Sequence, residues 1–131
     1  MNIFEAFDVQ VSQDAKTFPL SESASIDLLP MSSDLAKRKF DTMMEPYQPR
    51  LNAGGKLTEE ESKKLNIRFF SEVVVRGWKG LTDAEGNNVP FSAEAAAKLF
   101  EALPRFFNII IRMASDEDAF TVAKVEADEK N

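Results

Sequence analysis

The chain has 131 residues, a net charge of −6, a pI of about 4.7 and neither histidine nor cysteine. Its length suits one domain with a real core, and 44% hydrophobic with 29% charged residues is a globular rather than a disordered composition. Without imidazole or thiolate there is no Ser-His-Asp triad, no Cys-His pair, no cysteine or histidine zinc site and no redox pair; the acidic balance disfavours phosphate backbones and anionic membranes.

Residues 1–31 read as a less regular N-terminal segment. Ile3, Phe4, Phe7 and Val11 are spaced for one face of a helix, while Val9 and Val11 alternate with polar neighbours as in a strand. The opening Met1-Asn2-Ile3-Phe4-Glu5-Ala6-Phe7-Asp8 has no basic region and no long apolar run, so no secretory signal is expected. Residues 25–29 alternate and stop at Pro30, which predicts a short strand.

A helical body is expected over 32–125. Ser32 or Ser33 can cap a helix to about residue 45, with Ala36, Phe40, Met43 and Tyr47 on one arc, and Pro46 and Pro49 stopping it. Asn52-Ala53-Gly54-Gly55 reads as a loop. Thr58-Glu59-Glu60-Glu61 is a capping box, in which the Thr58 hydroxyl accepts from the Glu61 amide and the Glu61 carboxylate accepts from the Thr58 amide. The helix it opens is predicted to run through Leu65, Phe69, Phe70, Val73 and Val74 to about Trp78, as the central helix. The β-branched Val73-Val74-Val75 offers strand as the competing reading.

Turn formers Asp83, Gly86, Asn87 and Asn88 between Leu81 and Val89/Phe91 predict a small hairpin. Ser92 caps a helix with Ala95, Leu99, Phe100 and Leu103 on its apolar stripe. Pro104 opens another over 105–114, in which six of ten residues are large and apolar. Ser115 with Asp118 can cap a last short helix carrying Phe120, Val122 and Val125, and residues 126–131 form a charged, frayed tail. The expected fold class is mainly α: a single compact domain of four to five helices, a small β-hairpin and a short N-terminal strand.

Chemistry is sparse. Asp83-Ala84-Glu85-Gly86-Asn87-Asn88 places Gly86 two positions early for an EF-hand, so it reads as a turn and not a metal site. Glu59, Glu60 and Glu61 are explained by capping and the helix dipole. Arg76, Lys79, Arg105 and Arg112 beside apolar segments are expected to snorkel or pair at a core edge. No phosphate loop or nucleophile elbow is present. No catalytic residue, metal or cofactor is expected.

Eleven Phe stand against one Trp and one Tyr. Phe carries no polar handle, so this bias suits cores and protein interfaces. Two apolar segments, around residues 69–75 and 106–113, compete for one small core, and a helix apolar on all sides is deeply buried or covered by another chain. The candidate protein-interaction residues are Phe106, Phe107, Ile110 and Met113, followed by Ile3, Phe4 and Phe7 as a segment able to dock on a neighbouring subunit.

The run Val75-Arg76-Gly77-Trp78-Lys79-Gly80-Leu81-Thr82-Asp83, then Glu85-Gly86-Asn87-Asn88-Val89-Pro90-Phe91-Ser92, then Ala95, Leu99-Phe100, Leu103-Pro104 and Phe120, resembles the tail assembly chaperones of phages with long, flexible, non-contractile tails. The resemblance covers roughly residues 56–120. It implies a mostly helical, non-enzymatic protein that binds the tape measure protein and keeps it soluble while tail tube subunits assemble. The tail tube protein would be a further partner. It also implies homo-oligomerisation, residence in the cytoplasm of an infected or lysogenic bacterium and absence from the mature virion. Neither nucleic acid nor membrane is an expected partner. Many members have a longer form made by programmed ribosomal frameshifting, and Glu129-Lys130-Asn131 is compatible with a slippery adenine run in the gene. The alternative is a structural tail component retained in the particle.

Overall fold

A computed structural model describes residues 2–3 and 12–120. The expectations for Phe4, Phe7, Val9, Val11, Val122, Val125 and the 126–131 tail lie outside the described residues. The chain is mainly helical and carries a small antiparallel sheet, as its periodicity predicts. The elements in order are β1 (Lys16–Pro19), β2 (Ser25–Leu28), α1 (Asp34–Met44), a 3₁₀ turn (Glu45–Tyr47), α2 (Gln48–Asn52), α3 (Glu59–Phe69), a π turn (Phe70–Val74), β3 (Val75–Lys79), α4 (Ala93–Ala102), α5 (Pro104–Ser115) and a closing 3₁₀ turn (Glu117–Phe120).

The helix starts follow their caps. Ser33 accepts from Ala36 N, Thr58 and Glu61 form the full capping box, and Ser92 accepts from Ala95 N. Pro104 enters α5 in its first turn, where its missing N–H is not needed. α1 stops at Met44, ahead of Pro46. The chain nonetheless keeps winding through the 3₁₀ turn and α2, because Pro46 and Pro49 each fall in the first turn of a new segment.

The central helix is shorter than its sequence pattern suggests. α3 ends at Phe69, loosens into the π turn, and the chain leaves as β3 instead of continuing to Trp78. The β-branched run carries the switch. Val73 and Val74 remain in the turn and Val75 opens the strand, where a branched side chain packs well on the pleated surface.

β3 pairs with β2 and β2 with β1, all antiparallel, giving the order β1-β2-β3. β2 is the expected strand; β1 is an addition, in a stretch with no strong alternation of its own. Phe18, Ile26 and Trp78 stand in register on the core side, and Thr17, Asp27 and Gly77 on the other, where the Thr17 hydroxyl donates to Asp27. Gly80 ends the sheet at φ +78, and a Cβ there would lie 1.9 Å from the Ser23 carbonyl oxygen, so only glycine fits.

The expected 81–91 hairpin is reduced to one bridge, Thr82 to Asn88, with Val89 N donating to the Leu81 carbonyl. Its turn is held by the Asp83 carboxylate, which accepts from Glu85 N and Asn87 N. The last turn is capped by Asp116 in place of Ser115: the Asp116 carboxylate accepts from Asp118 N, while the Ser115 hydroxyl donates to the Ile111 carbonyl.

The core lies between the sheet and α3, α4 and α5. Phe69 meets Phe70 edge-on at 5.5 Å, Phe70 meets Phe107 likewise at 5.5 Å, and Phe107 stacks on Phe100 at 4.7 Å. Phe100, Phe120, Ile26, Leu28, Ile110, Val74 and Val75 complete a nearly solvent-free centre. Trp78 donates its indole N–H to the Val89 carbonyl at 2.7 Å and packs on Phe91, tying the 81–91 loop to the sheet.

Candidate interaction surface

Residues three and four apart share a helix face, so α5 can be read as two flanks. Its inner flank is Phe107, Ile110 and Ala114, all buried. Phe107 and Ile110, singled out from sequence as partner-facing, therefore lie inside this chain's own core. A partner could reach them only by opening the fold, and the reason is that the core has room for both apolar segments. The 70–75 run contributes a turn and a strand rather than a second continuous helix, and Phe107 fills the space between Phe70 and Phe100.

Phe106 and Met113 are half-buried on one side of that inner flank, with Ile111 on the other. Next to Phe106 and Met113 stands Ile109, which is 41% exposed, and at the entrance to the helix is Leu103, 50% exposed. These are two of the three large apolar residues left exposed among the described residues; the third is Ile3, at 59%. The Arg105 and Arg112 side chains lie on the solvent side of Ile109, and neither forms an ion pair among the described residues. Sequence reasoning missed Ile109 and Leu103. A helical wheel centred on Phe107, Ile110 and Ala114 would have placed Ile109 outside, but nothing in an apolar run of Ile109-Ile110-Ile111 says which residue takes the centre.

Two grooves border the helices. The larger, about 550 Å³, runs between α3 and α4 over Ile67, Ala93 and Ala97, with Glu60, Lys64 and Glu101 on its rim. The smaller, about 290 Å³, is framed by Met31, Ala36, Phe40 and Phe69, with Lys37 and Asp41 at its mouth. Several charges at the larger groove pair one turn apart along the chain: Glu60 with Lys64 at 3.3 Å, Arg68 with Glu72 at 2.7 Å, and Glu94 with Lys98 at 3.4 Å.

Among the described residues, Arg50 and Glu61 form a clip that perturbs the titration of both. Arg50 at the end of α2 reaches Glu61 in the first turn of α3, with a second contact of 3.0 Å from its other terminal nitrogen, closing the Gly54-Gly55 loop. The Arg50 hydrogen bond, followed by that from the Thr58 amide, lowers the Glu61 carboxyl from 4.5 to about 2, and Glu61 in turn raises the Arg50 guanidinium. The arrangement is fully used in holding two helices together. Among the described residues no group of three or more acidic side chains is placed to hold a metal ion, and no helix is long and apolar enough to cross a membrane. The Asp83 loop uses its carboxylate on its own backbone.

No curated protein and no solved structure matches this chain. A protein-family model does: residues 31–131, well over half of the sequence, match the family described as YdaY prophage protein, and the chain belongs to that family.

Proposed function

We propose that this prophage protein is a tail assembly chaperone, a non-enzymatic helper that holds the tape measure protein soluble while the tail tube forms around it, with the tail tube protein as a second partner. The observation that carries the reading is the outer flank of α5, where Leu103 and Ile109 are exposed beside half-buried Phe106 and Met113 on an otherwise well-covered domain. Phe and Met suit such a role, since both offer large contact area without a polar atom to satisfy, and Met adapts to irregular partners. Ile3 adds an exposed apolar residue at the other end of the chain. The acidic net charge keeps a protein with an adhesive flank in solution. Self-association, a cytoplasmic location in the host and absence from the finished particle belong to the same reading.

The test is co-expression with the tape measure protein of the same prophage, followed by affinity capture and light scattering. A soluble complex, with the partner insoluble when expressed alone, is the expected result. A partner that stays insoluble with nothing co-purifying overturns the reading, and detection of this chain in purified virions replaces it with a structural tail component.

A further inference from the structure

The outer flank of α5 combines an exposed apolar residue with two exposed arginines. Ile109 sits at the centre. Arg105 and Arg112, four residues before and three after it, stand on its solvent side; Phe106 and Met113, three before and four after, stand on its core side. The two guanidinium groups are seven residues apart on one face, about 10 Å along the axis. They are exposed and unpaired among the described residues, in a chain with 22 acidic and 16 basic side chains. By contrast the cations lining the α3/α4 groove include Lys64 and Arg68, already paired with carboxylates one turn away. Unpaired arginines flanking an exposed isoleucine are suited to a partner whose carboxylates arrive with its apolar stripe, since the planar guanidinium can grip a carboxylate through two hydrogen bonds.

We propose that this flank recognises an amphipathic helix of another protein whose apolar stripe is bordered by carboxylates two turns apart. The inference rests on the reading of α5 as the partner-facing element and specifies the chemistry of that partner. The helix lies along α5 with an apolar side chain against Ile109 and Met113 and its acidic border toward Arg105 and Arg112. A second copy of this chain fits less well. Its α4 carries Glu94 and Glu101, and its α1 Asp34 and Asp41, seven residues apart, but Glu94 is shared with Lys98, Lys63, Lys64 and Arg68 line the α4 groove, and Lys37 and Arg38 stand between the α1 aspartates, so cations would face the incoming arginines on either helix.

The experiment uses the full chain and two synthetic amphipathic helices of about 20 residues, long enough to span α5. The peptides share a leucine stripe and differ only in having Glu or Lys at the two bordering positions. Binding is followed by fluorescence anisotropy. The Glu peptide is expected to bind about tenfold more tightly than the Lys peptide at about 0.1 M salt, with the preference shrinking at about 1 M. Arg105→Glu with Arg112→Glu should reverse the preference, while Ile109→Asp should abolish binding of both peptides at an unchanged melting temperature. Equal binding of the two peptides, binding of neither, or an unaltered preference in the double reversal overturns the proposal. Self-association of the chain, broken by the arginine reversal and restored when Glu94→Lys and Glu101→Lys are added, would give the flank to a second copy and overturn it too. Capture of the tape measure protein by the arginine-reversed chain at full yield would remove this inference and leave the chaperone reading standing.

Discussion

The segments 69–75 and 106–113 have similar compositions, and both reach the core, yet they end differently. In the first, buried residues follow one another without a break except Glu72: Phe69, Phe70, Ser71, Val73, Val74 and Val75 are all covered, and the helix cannot stay regular while presenting apolar groups to every side. It relaxes into a π turn and exits as a strand, where Val75 and Trp78 face inward and Arg76 faces solvent. In the second, Asn108 and Arg112 interrupt the run, α5 stays helical to Ser115, and Ile109 is left outside. Apolar content alone thus says that a segment meets the core; the polar residues within it decide whether any of that content remains for a partner.

Substitutions on the two flanks of α5 test this most severely. Phe107→Asp is expected to unfold the domain, since it sets a carboxylate among Phe70 and Phe100. Phe107→Ala should cost about 3–5 kcal/mol in a denaturant titration. A folded Phe107→Asp monomer would mean that the aromatic cluster does not hold the two segments together. Next in size is Gly80→Ala at the end of β3, where the added Cβ meets Ser23 and the positive φ is unfavourable. A loss of about 2 kcal/mol is expected, and little change would show that the sheet end can move. Trp78→Phe keeps an aromatic ring but loses half of the indole and its bond to the Val89 carbonyl, for about 1–2 kcal/mol by thermal melting. Ile109→Asp should shift stability by no more than about 0.5 kcal/mol while removing partner capture; a destabilisation as large as that of Phe107→Ala would make the outer flank part of the core.

The smallest effect concerns acid. The folded-state pKa of Glu61, about 2, lies below its ordinary 4.5, so the Arg50 clip contributes above pH 4.5 and is lost as pH falls from there through 2. Both side chains retain solvent access, at 46% and 27%, so the effect is modest. Glu61→Gln should flatten the pH dependence of unfolding in that window, and an unchanged slope would show that the clip is not what senses acid.

Much of the helical framework was legible because its signals are local. Ser33, Thr58 with Glu61, Ser92 and Pro104 mark helix starts by satisfying or lacking particular backbone donors, and those requirements do not depend on what the helix later packs against. β1 was not legible, because Lys16–Pro19 is ordered chiefly by its neighbour β2, and Phe18 by the ring of Phe120 about a hundred residues away. The candidate surface was half legible. Phe106 and Met113 kept their place at its edge, while Phe107 and Ile110 moved inside and Ile109 took the exposed position.

The sequence by itself determined the absence of imidazole and thiolate chemistry, the helical class, the capped starts and the presence of two apolar segments. All of these follow from side-chain identity and short-range periodicity. Only the tertiary structure decided where the first segment leaves the helix, which strand joins the sheet, and which side of α5 faces out. Those outcomes depend on how a finite core divides its volume among side chains far apart in the chain: once Phe70, Phe100 and Phe107 fill the centre, Ile109 and its two arginines have nowhere to go but the surface.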